Sequence, residues 1–164
     1  MQFPTTRMRR LRKNSKIRDI VRETKLQKED LIYPIYFKED LKEMEKEEIS
    51  SLPGEFRYSL DAGVEFAKQL EAKGLKSIIV FGIPKEDTKD EIATPDYSAT
   101  GIVQKAVRRL KKETNLVVIT DVCLCQYTSH GHCGMIKENE DTDHGIEKCI
   151  ISRSEERFSR NAET

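Results

Sequence analysis

The stretch Asp121 to Gly134, DVCLCQYTSHGHCG, holds three of the chain's four cysteines and two of its three histidines. Cys123, Cys125 and Cys133 follow the spacing C-x-C-x7-C. In an extended segment residues i and i+2 point to the same side, so Cys123 and Cys125 can aim two sulfurs at one point. The residues between, QYTSHGH with Gly131, can turn the chain and return Cys133 to the same place. Three thiolates suit a soft or borderline cation, with zinc the first candidate. Three protein ligands would leave a fourth position open, as catalytic zinc sites do. His130 and His132 could add a ligand or carry protons beside the metal, although for each alone an ordinary hydrogen-bonded loop role is the favoured reading. Two blander readings stand next to this one. The cysteines could be small buried side chains without a ligand role, or a redox pair, although the spacing is not C-x-x-C. Asp121, at the end of an apolar run, could orient a ligand or a proton, or simply cap the loop. Cys149 lies well past the motif and reads as incidental.

The elements that must position these residues alternate in period. DLIYPIYF (30–37), SIIVFG (77–82) and LVVITDV (116–122) are short continuous apolar runs and read as buried strands. Between the first two, Leu60, Val64, Ala67 and Leu70 recur at helical spacing, with Ser59 as N-cap and Gly74 as the stop. Between the last two, Ile102, Val103, Ala106, Val107 and Leu110 mark a second amphipathic helix. Strand, helix, strand, helix, strand without alternation predicts a parallel sheet covered on both faces, an α/β fold. SSLPGEFRYS (50–59) reads as a loop, and KEDLKEMEKEE, after Phe37, as a solvated loop or helix face. That charged, glycine-free stretch makes a dinucleotide site at the first strand–helix junction an unfavoured reading. The cysteine motif directly follows the third strand, at the carboxyl end where chemistry collects in α/β folds.

The bulk numbers bound the function. With 164 residues, one domain is expected; 37% of them are hydrophobic and 35% charged. Lys plus Arg and Asp plus Glu both number 29, so the formal charge is zero, against a protein that works by coating nucleic acid or an anionic membrane. The charge is uneven: Arg7 to Lys25 carries nine basic residues against Asp19 and Glu23. This reads as an exposed arm continuing into a helix and strand, rather than a transit peptide. No apolar run approaches the roughly 20 residues of a membrane helix. Met1 to Leu11 has no apolar signal-peptide core, so a reducing, cytoplasmic setting is expected, where structural disulfides are rare.

VVITDVCLCQYTSHGHCG closely resembles the metal-binding signature of the porphobilinogen synthase (delta-aminolevulinic acid dehydratase) family, zinc type. RRLRKNSKIRDIVRET, DLIYPIYF, ISSLPG, FGIPKEDTKDEIA and GIVQKAVRRLKKE agree with the family in order, from about Arg9 to about Glu140. The resemblance implies a (β/α)8 TIM barrel with an N-terminal arm that embraces a neighbouring subunit, and hence a homo-oligomer. It implies a lyase condensing two molecules of delta-aminolevulinate into porphobilinogen, on the route to tetrapyrroles and heme. It makes Cys123, Cys125 and Cys133 the zinc ligands, links His132 to a second, weaker metal site in some members, and places Asp121 as an acid beside the active site. The basic stretch becomes the arm, with no nucleic-acid or membrane partner.

The expected division is a basic arm at 1–28, a partial barrel at 29–140 holding the first three βα units, and an irregular, non-family tail at 141–164. The pattern changes abruptly after Glu140, which implies a chain truncated or frame-shifted relative to the family. A whole barrel takes roughly 250 residues. The family's Schiff-base lysines belong to later strands, and neither Lys137 nor Lys148 in the polar region is promoted to that role. Such a part-barrel is expected to expose sheet edges, leave core uncovered and be poorly stable alone. It is expected to be inactive by itself; the alternatives are a non-catalytic zinc-binding module or a fragment that joins other subunits.

Overall fold

The computed structural model describes residues 9–133, 135–138 and 148–151. From Arg9 to Ile32 every residue is exposed except the half-buried Ile17. Within this stretch helix α1 (Ser15–Val21) begins at Asn14, whose side chain accepts from the Ile17 N–H at 2.9 Å. The basic charge of the segment therefore sits on the surface.

Strands β1 (Ile32–Lys38), β2 (Lys46–Glu48) and β3 (Phe56–Tyr58) are followed by helix α2 (Leu60–Ala72) and strand β4 (Ser77–Ile83). A short helix α3 (Thr94–Tyr97), helix α4 (Ile102–Glu113) and strand β5 (Val117–Thr120) come next. The five strands form one sheet in the order β2-β3-β1-β4-β5. β1 runs parallel to β3 and β4, β4 parallel to β5, and only β2 is antiparallel. The fold is α/β with a mostly parallel sheet.

Two strands, β2 and β3, fall in stretches whose sequence reads as loop. Each is only three residues long, and Lys-Glu-Glu carries no apolar signature. Their pairing draws on charge instead. Glu47 of β2 bridges Lys38 and Arg57, each at 2.6 Å, and the Lys46 ammonium lies 4.1 Å from the centre of the Phe56 ring. Charges that read as solvated thus tie neighbouring strands together.

The helices form as their spacing dictates. Ser59 Oγ accepts from the Ala62 N–H at the start of α2, and Gly74, at φ +92, terminates it in a conformation that suits glycine. Gly63 lies so close to the Phe37 ring that a β-carbon there would clash. Val64, Ala67 and Leu70 of α2 and Val103, Ala106 and Leu110 of α4 pack with Ile35, Phe37, Ile78 and Val80 of the sheet into one buried core. Arg109 of α4 clamps the two helices by pairing with Asp61 at 2.5 Å and Glu113 at 2.7 Å.

Burial along β1 and β4 alternates, however, so among the described residues one face of the sheet is covered where cover on both was expected. Alternate residues Ile35, Phe37, Ile78 and Val80 are sealed, while Tyr36 and Phe81, stacked at 5.3 Å on the other face, stay half-buried. β5 is not a buried strand either. Among the described residues it forms one edge of the sheet, with Val117 60% exposed. It also ends at Thr120, leaving Asp121 and Val122 to the loop. Among the described residues no helix is long and apolar enough to cross a membrane.

In the region expected to be irregular, strand β7 (Lys148–Ile151) pairs antiparallel with β6 (Met135–Glu138). Cys149, Ile150 and Ile151 are the consecutive apolar residues of that polar region, which is what a strand there requires. Lys137 sits opposite Cys149, and Lys148 opposite Glu138. The rest of the expected tail lies outside the described residues.

Candidate metal centre

The cysteine loop leaves the carboxyl end of β5 and is folded by its own polar groups. Asp121 Oδ1 accepts from the Cys123 N–H at 3.2 Å, a turn in which aspartate stands in for a backbone acceptor. Of the two roles open to Asp121, this contact is that of a loop cap. A tight turn follows, with the Tyr127 and Thr128 N–H groups donating to the Leu124 carbonyl at 2.9 and 3.2 Å. Leu124 and Tyr127 are buried and root the turn in the core. Thr128 Oγ1 then reaches across the loop to the His132 carbonyl at 3.0 Å and the Cys125 carbonyl at 3.4 Å. Gly131, at φ +73, supplies the reversal.

These contacts return Cys133 to the other two thiols. The three Sγ atoms lie within 4.8 Å of one another. Cys123 Sγ is 2.9 Å from Cys125 Sγ and 2.8 Å from Cys133 Sγ. Both separations exceed the about 2.05 Å of a disulfide bond, and all three residues are free thiols. Burial pushes the Cys123 thiol up to about 12, helped by its hydrogen bonds to Cys125 and Cys133. The same bond from Cys123 holds the more exposed Cys133 below the ordinary thiol value. Three sulfurs this close cannot all carry charge in the absence of a cation. A bound metal would remove that conflict by replacing the shared protons. Three converging soft donors, one of them open to solvent, fit a zinc ion with an open position.

Among the described residues the converging donor group consists of the three cysteines, without either histidine. The His130 ring has both nitrogens engaged: Nε2–H donates to the Glu91 carbonyl at 3.3 Å, and Nδ1 accepts from the His132 N–H at 3.2 Å. The His132 ring stacks on it at 5.8 Å. Sequence reasoning thus finds the thiols but misses Leu124, Tyr127 and Thr128, which fold the loop. Two buried apolar side chains in a polar stretch were the available signal.

The family model described as ALAD, delta-aminolevulinic acid dehydratase, matches residues 5–154. That range runs past Glu140, where the resemblance read from the sequence fades, and takes in β7. The delta-aminolevulinic acid dehydratase of Methanothermus sociabilis is 57% identical over 159 residues, and that of Methanothermobacter thermautotrophicus 50%. Each comparison covers 94% of this chain and 48% of the relative. The chain therefore spans about half the length of the curated relatives it matches. A crystal structure of delta-aminolevulinic acid dehydratase (porphobilinogen synthase) from Toxoplasma gondii, in complex with the reaction product porphobilinogen, superposes with a TM-score of 0.76 at 26% identity. That match covers 91% of this chain and 40% of the other.

Proposed function

The chain belongs to the delta-aminolevulinic acid dehydratase family, and on that premise we propose that it carries the metal-binding half of a porphobilinogen synthase centre. The reaction is the condensation of two delta-aminolevulinate molecules into porphobilinogen, a lyase step in tetrapyrrole and heme synthesis. The observation that carries this reading is the convergence of Cys123, Cys125 and Cys133 at the carboxyl end of β5, inside the matched range.

Zinc is the metal best suited to three thiolates, and when bound it would polarise a carbonyl oxygen or a water. The protein's own work is to hold the site. Asp121 fixes the Cys123 backbone, Thr128 draws the two ends of the loop together, and the buried Leu124 and Tyr127 keep it on the sheet. The five-stranded sheet and its helices read as the opening part of a TIM barrel that follows an arm at 1–28, and the family match carries that part past Glu140. The half-buried Tyr36 and Phe81 face the side that a closed barrel would cover. Homo-oligomer formation through the exposed segment before β1, and a cytoplasmic setting that keeps the thiols reduced, complete the reading. The resemblance puts the Schiff-base lysines on strands following the stretch present here, so metal binding without turnover is the expected state of the isolated chain.

The test is to supply the purified chain with zinc and delta-aminolevulinate and assay porphobilinogen. The expected outcome is bound zinc with no product. Turnover by the isolated chain would show that a lysine within it, such as Lys137 or Lys148, performs the Schiff-base step.

A further inference from the structure

The loop that follows β4 touches the cysteine loop at three points, all centred on Asp90 and Glu91. The Ser129 N–H donates to the Asp90 carbonyl at 2.9 Å, and Asp90 and Thr128 form a parallel bridge. His130 Nε2–H donates to the Glu91 carbonyl at 3.3 Å. The Asp90 carboxylate in turn shapes its own loop. Its Oδ1 accepts from the Thr94 N–H at 2.9 Å and the Ile92 N–H at 3.1 Å, closing a turn in which Ala93 takes a left-handed φ of +58. Burial raises the carboxyl, but the donors from Thr94, Ile92 and Ala93 outweigh it and hold Asp90 below its ordinary value. A non-glycine residue at positive φ persists only where its surroundings enforce it. Here the Asp90 carboxylate holds the residues on either side of Ala93, whose side chain is buried and whose carbonyl accepts from the Asp96 N–H at 3.0 Å.

We propose that Asp90 is a positioning residue for the thiol cluster and that His130 is the strut between the two loops rather than a metal ligand; this rests on the metal reading above. The Asp90 carboxylate sets the turn that presents the Asp90 and Glu91 carbonyls. Those carbonyls hold Ser129 and His130, four and three residues before Cys133, in the position that brings its sulfur back to Cys123. His130 is fixed as the neutral Nε2–H tautomer, because a carbonyl can only accept and the His132 N–H can only donate. Both of its nitrogens are therefore occupied by the backbone, and neither is left for a cation.

Anaerobic Co(II) titration of the full chain and its variants, followed by the thiolate-to-metal charge-transfer and d–d bands, tests this. Asp90→Ala should weaken Co(II) binding by about ten-fold, the scale of losing a group that orients a ligand. Asp90→Asn, which keeps an Oδ1 acceptor, should restore most of it. His130→Ala should also weaken binding but leave the band positions where they are, since the donor set is unchanged. Unaltered affinity in Asp90→Ala, or shifted bands in His130→Ala, would overturn the proposal. If Asp90→Ala does not fold, the half-buried His130→Ala decides alone, with unchanged affinity also counting against the strut. A parent chain that shows no charge-transfer bands would refute the metal reading itself, and the positioning role with it.

Discussion

The helix-covered face of the sheet and the cysteine loop at its carboxyl end are held by different forces. On the covered face, Ile35, Phe37, Ile78 and Leu110 have no exposed surface, and apolar burial stabilises the arrangement. In the loop, Leu124 and Tyr127 anchor the turn in the core, but the sulfurs are placed by a few hydrogen bonds involving Asp121, Thr128 and the neighbouring loop at Asp90, with Cys133 exposed. Burial is non-directional and tolerates drift; a hydrogen bond fixes a direction. The framework can therefore be stable without being exact, while the polar contacts of the loop place three sulfurs within a few ångströms and those contacts add little to stability. Folding and metal affinity should separate on mutation.

The largest effect should come from the covered face. Phe37→Ala removes a fully buried ring wedged against Gly63 and should cost about 3–5 kcal/mol, read in a denaturant melt. Next, Cys133→Ser should weaken zinc by at least about 100-fold, close to 2.7 kcal/mol, while the metal-free chain melts within about 0.5 kcal/mol of the parent. Equal losses of stability and affinity in both variants would erase the distinction between the two regions.

The comparison sharpens with pH. Zinc must displace a proton from Cys123, whose thiol is pushed up to about 12 by burial. Apparent affinity should thus rise steadily from pH 6 to 8, by up to about ten-fold per unit for each proton displaced. A flat profile would mean that this thiol is not a ligand. On the uncovered face, Phe81→Ala should cost only about 1 kcal/mol, since the stack with Tyr36 is half in solvent.

The smallest effect should be acid loosening of the helix clamp. Hydrogen bonds from Arg109 and then Lys68 lower the Glu113 carboxyl to about 2. A folded-state value below the unfolded value of 4.5 stabilises the fold above that pH, and the contribution fades as pH falls from about 4.5 towards 2. Glu113→Gln should flatten this limb of the acid melt.

What was legible in the sequence follows the same divide. β1, β4, α2 and α4 announce themselves through long apolar runs and helical spacing, and the residues that mark them end within three residues of the observed bounds. β2 and β3 were hidden because three-residue strands joined by Glu47, Lys38 and Arg57 look like solvated charge. The apolar runs of β1 and β4 encode burial on two faces, yet among the described residues α2 and α4 cover only one of them. The cysteine spacing names the donors, since convergence follows from C-x-C and a glycine turn. The braces were not legible: Thr128 acts across four residues, and Asp90 across nearly forty, and no local period records such contacts.

The most direct test of the central claim is the number of zinc ions retained by the purified chain, counted by native mass spectrometry beside a variant with Cys123, Cys125 and Cys133 all changed to serine. One zinc is expected in the parent and none in the variant, with both chains folded. A parent without zinc, or a variant that keeps it, would contradict the assignment of the three cysteines as a metal site.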